Sequence, residues 1–165
     1  MERIHYIIGI VIFIVFACSS AADEALTRDE RVVALTLLGE ARGEGHKGMY
    51  AVGCVIQQRA IERKLTPAQV CLEPWQFSVW NAGKGKVKKE SELYYLWDKK
   101  NYPKYKYFVP YARQLARNIC KNKKLERQET TGNANHYHTK SVKPYWSKGK
   151  KPIKQIGNHL FFKLK

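Results

Sequence analysis

Acidic residues are scarce in this chain: 14 Asp and Glu stand against 30 Lys and Arg, a formal net charge of +16 over 165 residues. Such an excess attracts polyanionic partners over long range. Extended apolar runs are scarcer still. The one candidate, Ile7 to Phe16, is too short for a comfortable spanning helix, so the mature chain is expected to hold no stable membrane span. Cysteine is limited to four residues. No Ser-His-Asp order, phosphate-cradling glycine loop or zinc-finger spacing is present, which removes three familiar families of site. Neither an internal repeat nor a flexible linker interrupts the chain, and its length suits one domain with a respectable core.

What is present begins with a leader. Arg3 precedes the apolar run, which ends in Ala17-Cys18-Ser19-Ser20-Ala21-Ala22, small residues suited to a signal peptidase. Residues 1–22 read as a secretory signal peptide and residues 23–165 as the mature domain. Val15-Phe16-Ala17-Cys18 is a loose match to a lipoprotein site, so acylation of Cys18 is the alternative. Either route gives a secreted or cell-envelope protein. Losing residues 1–22 removes one Arg and one Glu, so the mature charge stays at +16. For an exported protein the polyanions on offer are an anionic wall, an acidic polysaccharide, anionic lipid or extracellular nucleic acid.

Cys54, Cys71 and Cys120 remain after export, and an oxidising compartment favours one disulfide with one thiol left over. Three pairings are open. Cys71–Cys120 is the expected one, because Cys54 lies inside an apolar helix where a thiol behaves as a small hydrophobe.

Thr27-Arg28-Asp29-Glu30 is a capping box, and the helix it opens carries Val33, Ala34, Leu37, Leu38 and Ala41 at helical spacing. Gly43 and Gly45 are natural terminators. A second helix is expected over residues 47–62, and a short third one behind the capping box Thr66-Pro67-Ala68-Gln69. Residues 75–81, rich in Trp and Phe, have no periodicity. They suit either a core plug or a sugar-stacking surface. Residues 82–106 interleave Lys with Tyr and read as a surface loop with a helical turn near Leu93. Such interleaving also suits single-stranded nucleic acid, although a solvated basic face is commoner. Pro110 is expected to start another long helix, and residues 135–140 and 159–164 to form short strands. The fold class is α+β, mainly helical, with a small C-terminal β element.

Glu40 and Glu44 sit four apart where the first helix runs into glycines. Glu40 falls in the last helical turn after a buried apolar run. Burial and the helix dipole there both favour the neutral carboxyl, which can protonate a leaving-group oxygen. An ion pair with Arg42 or a nearby Lys is the other reading of the same residues.

Five blocks in order then carry a family resemblance: Gly39-Glu40-Ala41-Arg42-Gly43-Glu44; the Gly48-Met49-Tyr50-Ala51-Val52 helix ending near Arg59; Gln76-Phe77-Ser78; Asn133-Ala134-Asn135-His136-Tyr137; and Gly157-Asn158-His159-Leu160-Phe161-Phe162. Together they resemble the spore cortex-lytic, SleB-type cell-wall hydrolases. The resemblance implies a lysozyme-like fold and cleavage of the β-1,4 bond between N-acetylmuramic acid and N-acetylglucosamine in peptidoglycan. Family members are usually described as lytic transglycosylases, with plain hydrolysis, as by a muramidase, the alternative. Glu40 matches the family's catalytic acid, and Glu44 its second acidic position, in a supporting role.

Gln76, Phe77, Ser78, His136, Tyr137 and His159 are the candidate substrate contacts. His136, His138 and His159 also suggest a metal site, but packing along the cleft is the favoured reading, and neither metal nor cofactor is expected. A monomer binding peptidoglycan and anionic wall polymers is expected, rather than a nucleic-acid binder. A secreted cationic binding module, without catalysis, is the rival. The Lys-rich stretch 82–106 is longer and more basic than the resemblance leads one to expect of a family core, and no separate wall-binding domain is expected within residues 23–165. The leader generates the first prediction: intact mass of the exported protein should correspond to a chain starting at Asp23, and retention of residues 1–22 would contradict it.

Overall fold

The computed structural model describes residues 25–97 and 107–165. The proposed leader, Cys18 and the lysines and tyrosines at 99–106 lie outside the described residues. Helix α1 (Arg28–Ala41) starts at the expected capping box, with the Thr27 side chain accepting from Glu30 N and the Glu30 side chain accepting from Thr27 N. Its middle is apolar all round, and every residue from Val32 to Leu38 is buried. A helix of that kind must be sheathed on all sides. The sheath consists of α2 (Gly45–Arg63), α3 (Pro67–Leu72), α4 (Phe108–Cys120) and the 3-10 turns at Ser78–Trp80 and Glu90–Trp97. Thr36, the polar residue inside this run, is satisfied: its Oγ1 donates to Val32 O at 2.8 Å and accepts from Trp80 Nε1 at 2.8 Å. Trp80 and Phe77 are therefore core plugs, whereas Trp75 faces solvent.

Helix α1 ends before Gly43, as its terminators lead one to expect: it stops at Ala41, a 3-10 turn spans Arg42–Glu44, and α2 opens at Gly45 with φ +68°. Several other expectations need correction. Residues 90–97 are not a plain surface loop, because Leu93 and Leu96 are buried against α1. Helix α4 begins at Phe108, which puts Pro110 inside its first turn, where no intrahelical N–H is required. A short helix α5 (Arg127–Thr131) was not anticipated; at five residues it is too short to show periodicity. Cys54, Cys71 and Cys120 are all free thiols, so the expected Cys71–Cys120 bridge is absent. Cys54 and Cys71 instead serve as buried core residues.

The β element is a three-stranded antiparallel sheet of β1 (His136–Thr139), β2 (Lys154–Ile156) and β3 (His159–Phe162), in the order β1-β3-β2. It leans on α2 through Ala51, Val55, Ala134 and Phe161. Strand β2 is too short and exposed for its alternation to register in the sequence.

Asn135 locks the chain's end to this sheet. Its Nδ2 donates to Leu164 O at 2.8 Å and to Glu62 Oε2 at 2.9 Å, and its Oδ1 accepts from Leu164 N at 2.9 Å. Glu62 also receives Gln58 and Lys163. Burial works to raise its pKa, but these donors outweigh it and hold the carboxyl at about 2. Asn135→Ala should destabilise the protein by roughly 1–3 kcal/mol in urea unfolding, since it leaves buried partners unsatisfied.

Candidate active site

Glu40, on the last turn of α1, is half-buried and meets three donors from two distant segments. Its Oε1 accepts from Ser78 Oγ and from Val79 N, each at 2.9 Å, and its Oε2 accepts from Tyr137 Oη at 2.9 Å. Gly39 makes the first two contacts possible. A Cβ on Gly39 would fall 2.2 Å from Val79 Cγ2, so any other residue would push the Ser78–Val79 turn away from the carboxyl. Arg42 does not compete for Glu40 in this frame but turns back onto α1, donating to Leu38 O at 3.1 Å and Gly39 O at 3.3 Å. It thereby caps the carbonyl end of the helix.

Tyr137 comes from β1. Burial, and then the adjacent Glu40 carboxylate, push its phenol well above the ordinary range, so it remains an O–H donor. The His159 ring from β3 packs edge-on against Tyr137, with centroids 5.0 Å apart. Burial lowers the His159 pKa, against the opposing pull of Glu44 and Glu40. Its Nδ1 is buried without a hydrogen-bond partner, a costly arrangement of the sort found at functional sites.

Glu44, at the N-cap of α2, bridges to the β2–β3 hairpin. Its Oε2 accepts from Asn158 N at 2.9 Å and its Oε1 from Asn158 Nδ2 at 3.0 Å. Those bonds, led by the backbone one, hold its pKa below the usual carboxylate value despite some burial. Gly157 has φ +56°, and a Cβ there would lie 1.9 Å from Glu44 Oε2. Glycine at the first position of this two-residue turn thus serves both the hairpin and the carboxylate.

Arg59 joins the two segments that reach Glu40. It is 5% exposed; its Nε donates to Asn135 O at 2.6 Å and its Nη1 to Gln76 O at 3.3 Å. Its guanidinium lies 5.1 Å from the Phe77 ring centroid. One buried cation therefore holds the strand carrying Tyr137 beside the turn carrying Ser78.

Of the six candidate substrate contacts, Ser78, Tyr137 and His159 gather around Glu40. The other three do not. Gln76 takes its side-chain oxygen to Arg63 Nη2 at 2.9 Å, and Phe77 is 1% exposed beneath Arg59. His136 lies on the opposite sheet face against Trp146, with burial, then Arg59 and Arg63, lowering its pKa to about 4. His138 shares that face and stacks on Phe162. The three histidines therefore do not converge, and no group of three His, Cys, Asp or Glu among the described residues is arranged to hold a metal ion.

Three participants escaped the sequence reading. Val79 acts through its backbone N–H, which has no sequence signature. Arg59 had one available, a cation amid an apolar helix face. Asn158 had a stronger one, since Gly-Asn between two short β segments is a hairpin signal.

The arrangement defines a mainly helical α+β domain with one carboxyl group oriented by neutral donors at the junction of its helices and its sheet. Residues 43–162 match the Cell Wall Hydrolase family, and the chain belongs to that family, in agreement with the SleB-type resemblance. The match begins three residues past Glu40. No curated protein and no solved structure matches the chain. The protein is accordingly a cell-wall hydrolase whose substrate is peptidoglycan.

The Glu44–Asn158 tie carries a pH signature. A carboxylate whose folded pKa is depressed adds stability above its unfolded pKa, about 4.3, and that stability is lost as pH falls through the folded value. Glu44→Gln should therefore lower the melting temperature at neutral pH, with the difference from wild type vanishing below the ordinary carboxylate range. A difference that persists unchanged into acid would show that the tie does not depend on charge.

Proposed function

We propose that the protein cuts the β-1,4 bond between N-acetylmuramic acid and N-acetylglucosamine as a lytic transglycosylase, with Glu40 as general acid. The observation carrying this reading is one half-buried carboxyl, Glu40, whose two oxygens are oriented by donors from the Ser78–Val79 turn and from β1, while the second carboxyl is turned to the β2–β3 hairpin. Both oxygens of Glu44 are tied to Asn158, whereas Glu40 is half-buried beside exposed Ser78. A mechanism needing one effective acid suits this better than one needing a free carboxylate pair.

The donors also distinguish the two oxygens of Glu40. Val79 N–H can only donate, so Oε1 is kept as an acceptor. Tyr137 can turn its hydroxyl to accept, which makes Oε2 the oxygen suited to carry a proton. That proton passes to the glycosidic oxygen as the bond from the muramic acid C1 breaks. The muramic acid 6-hydroxyl then adds to C1 and returns its proton to Glu40. No water is consumed, and an anhydro sugar ends the chain. Ser78 and Tyr137 border the approach, His159 is buried against Tyr137, and Glu44 supports the site by fixing the hairpin that bears His159.

Secretion through residues 1–22, with Cys18 acylation as the variant route, would bring the mature domain to its substrate. Among the described residues no helix is long and apolar enough to cross a membrane.

Glu40→Gln keeps size and hydrogen bonding but cannot supply the proton. Cleavage of purified peptidoglycan should fall by about 10²–10⁴-fold with the fold intact by circular dichroism. Mass spectrometry of the released fragments should show anhydro ends, lighter by one water than hydrolysis products. Near-normal lysis by the variant would remove Glu40 from the mechanism. Ordinary reducing ends would keep the acid but make the enzyme a muramidase.

A further inference from the structure

The far face of the sheet carries a second site. No Asp or Glu follows Glu129, while Lys140, Lys143, Lys148, Lys150, Lys151 and Lys154 crowd the stretch leading to β2. Between β1 and β2 the chain makes a 3-10 turn, Tyr145–Ser147, and Trp146 at its centre is fastened to the sheet. Its ring lies 5.1 Å from His136, 5.4 Å from His138 and 5.4 Å from Phe162. These rings lie on the face opposite Tyr137, because neighbouring strand residues point to opposite sides.

Trp146 thus acts as a root for the turn. The adjacent Tyr145 stands 90% exposed, the most solvent-facing of the large apolar side chains among the described residues. Beside it is an open hollow of about 580 Å³, bordered by Lys143, Lys148 and Lys150 and floored by His138, Leu160 and Phe162. None of those lysines takes part in the ion pairs seen among the described residues. An exposed aromatic plate on a rigid root, ringed by uncompensated cations, contributes nothing to the core. It has the makings of a binding surface.

We propose that this hollow binds an anionic, hydroxyl-rich wall polymer, with Tyr145 stacking on its sugar or polyol units and Lys143, Lys148 and Lys150 meeting its repeating phosphates or carboxylates. The sheet separates it from Glu40, so it holds the enzyme on the wall without occupying the cleavage site. The choice of a wall polymer over a nucleic acid rests on the cell-wall reading above. The basic stretch 82–97 is a weaker candidate: Lys88 is spent on Val79 O, and Glu90 and Glu92 interrupt the charge.

The test measures retention on walls in the Glu40→Gln background, so the readout does not depend on cleavage. Whether Glu40 cleaves is settled separately by lysis, and either result there leaves the retention assay valid. Lys143→Gln, Lys148→Gln and Lys150→Gln together should weaken co-sedimentation with purified walls about tenfold at physiological salt, as loss of three exposed ion contacts predicts. They should also flatten its salt dependence. Tyr145→Ala should weaken retention several-fold and leave the salt dependence unchanged, because stacking is uncharged. With Glu40 restored, the triple-lysine variant should cleave soluble fragments at the wild-type rate.

Hydrofluoric acid treatment, which strips phosphate polymers from walls, separates the two anion sources. If the variant effect disappears on stripped walls the phosphates are the ligand, and if it persists the carboxylates of peptidoglycan are; both results support the site. Equal retention of variant and wild type on both kinds of wall would overturn it. So would release from walls by oligothymidylate at lower concentration than by poly(glycerol phosphate), which would make the surface a nucleic-acid site.

Discussion

Helix α1 buries every side chain from Val32 to Leu38, and a cylinder that is apolar on all sides cannot end anywhere but among its neighbours. The elements packed around it, namely α2, α3, α4 and the two 3-10 turns, take their positions from that requirement. The helix must also stop, and where it emerges from its sheath the first charged side chain is Glu40. Removing apolar surface from water thus sets the place of the carboxyl, since a helix buried up to Leu38 presents residue 40 at the edge of the core. The Ser78–Val79 turn can approach only because Gly39 has no side chain.

The sheet rests on this helical body through a small apolar cluster and is held there by a set of polar ties. Glu44 grips the hairpin through Asn158, Arg59 ties Asn135 to Gln76, and Glu62 with Asn135 closes the C-terminus. Buried polar ties of this kind are directional, so they fix orientation more closely than greasy packing does. That suits a site whose parts, Glu40, Ser78, Tyr137 and His159, come from opposite ends of the chain. The unpartnered Nδ1 of His159 is the one point in that frame where satisfaction is incomplete, and it lies against Tyr137.

The two faces of the sheet are chemically unlike. One presents Tyr137 and His159 toward the carboxyls. The other presents His136 and His138 to Trp146, and beyond them a surface of lysines around Tyr145. A strand three or four residues long can serve both because its side chains alternate. On the proposed reading, such a division lets one small element position the chemistry and offer a foothold on the polymer.

Local signals were legible in the amino-acid sequence where the physics is local. Both capping boxes, the span of α1 and α2, Glu40 in a last helical turn and the pairing segments of β1 and β3 follow from contacts within a few residues or from periodicity. Charge, too, is a property of composition. What only the tertiary structure decided were matters of distance across the chain. Phe77 and Gln76 neighbour Ser78 in sequence, yet one is core and the other serves Arg63, because a 3-10 turn has no periodicity from which to assign faces. His136 parted from Tyr137 by the pleat of a strand whose partner and facing were not readable in advance. Cys71 and Cys120 stayed thiols, and Glu44 went to a hairpin more than a hundred residues away. Each of these depends on which surfaces meet after the chain has closed around α1, and loop closure over scores of residues leaves no mark in any short window of sequence.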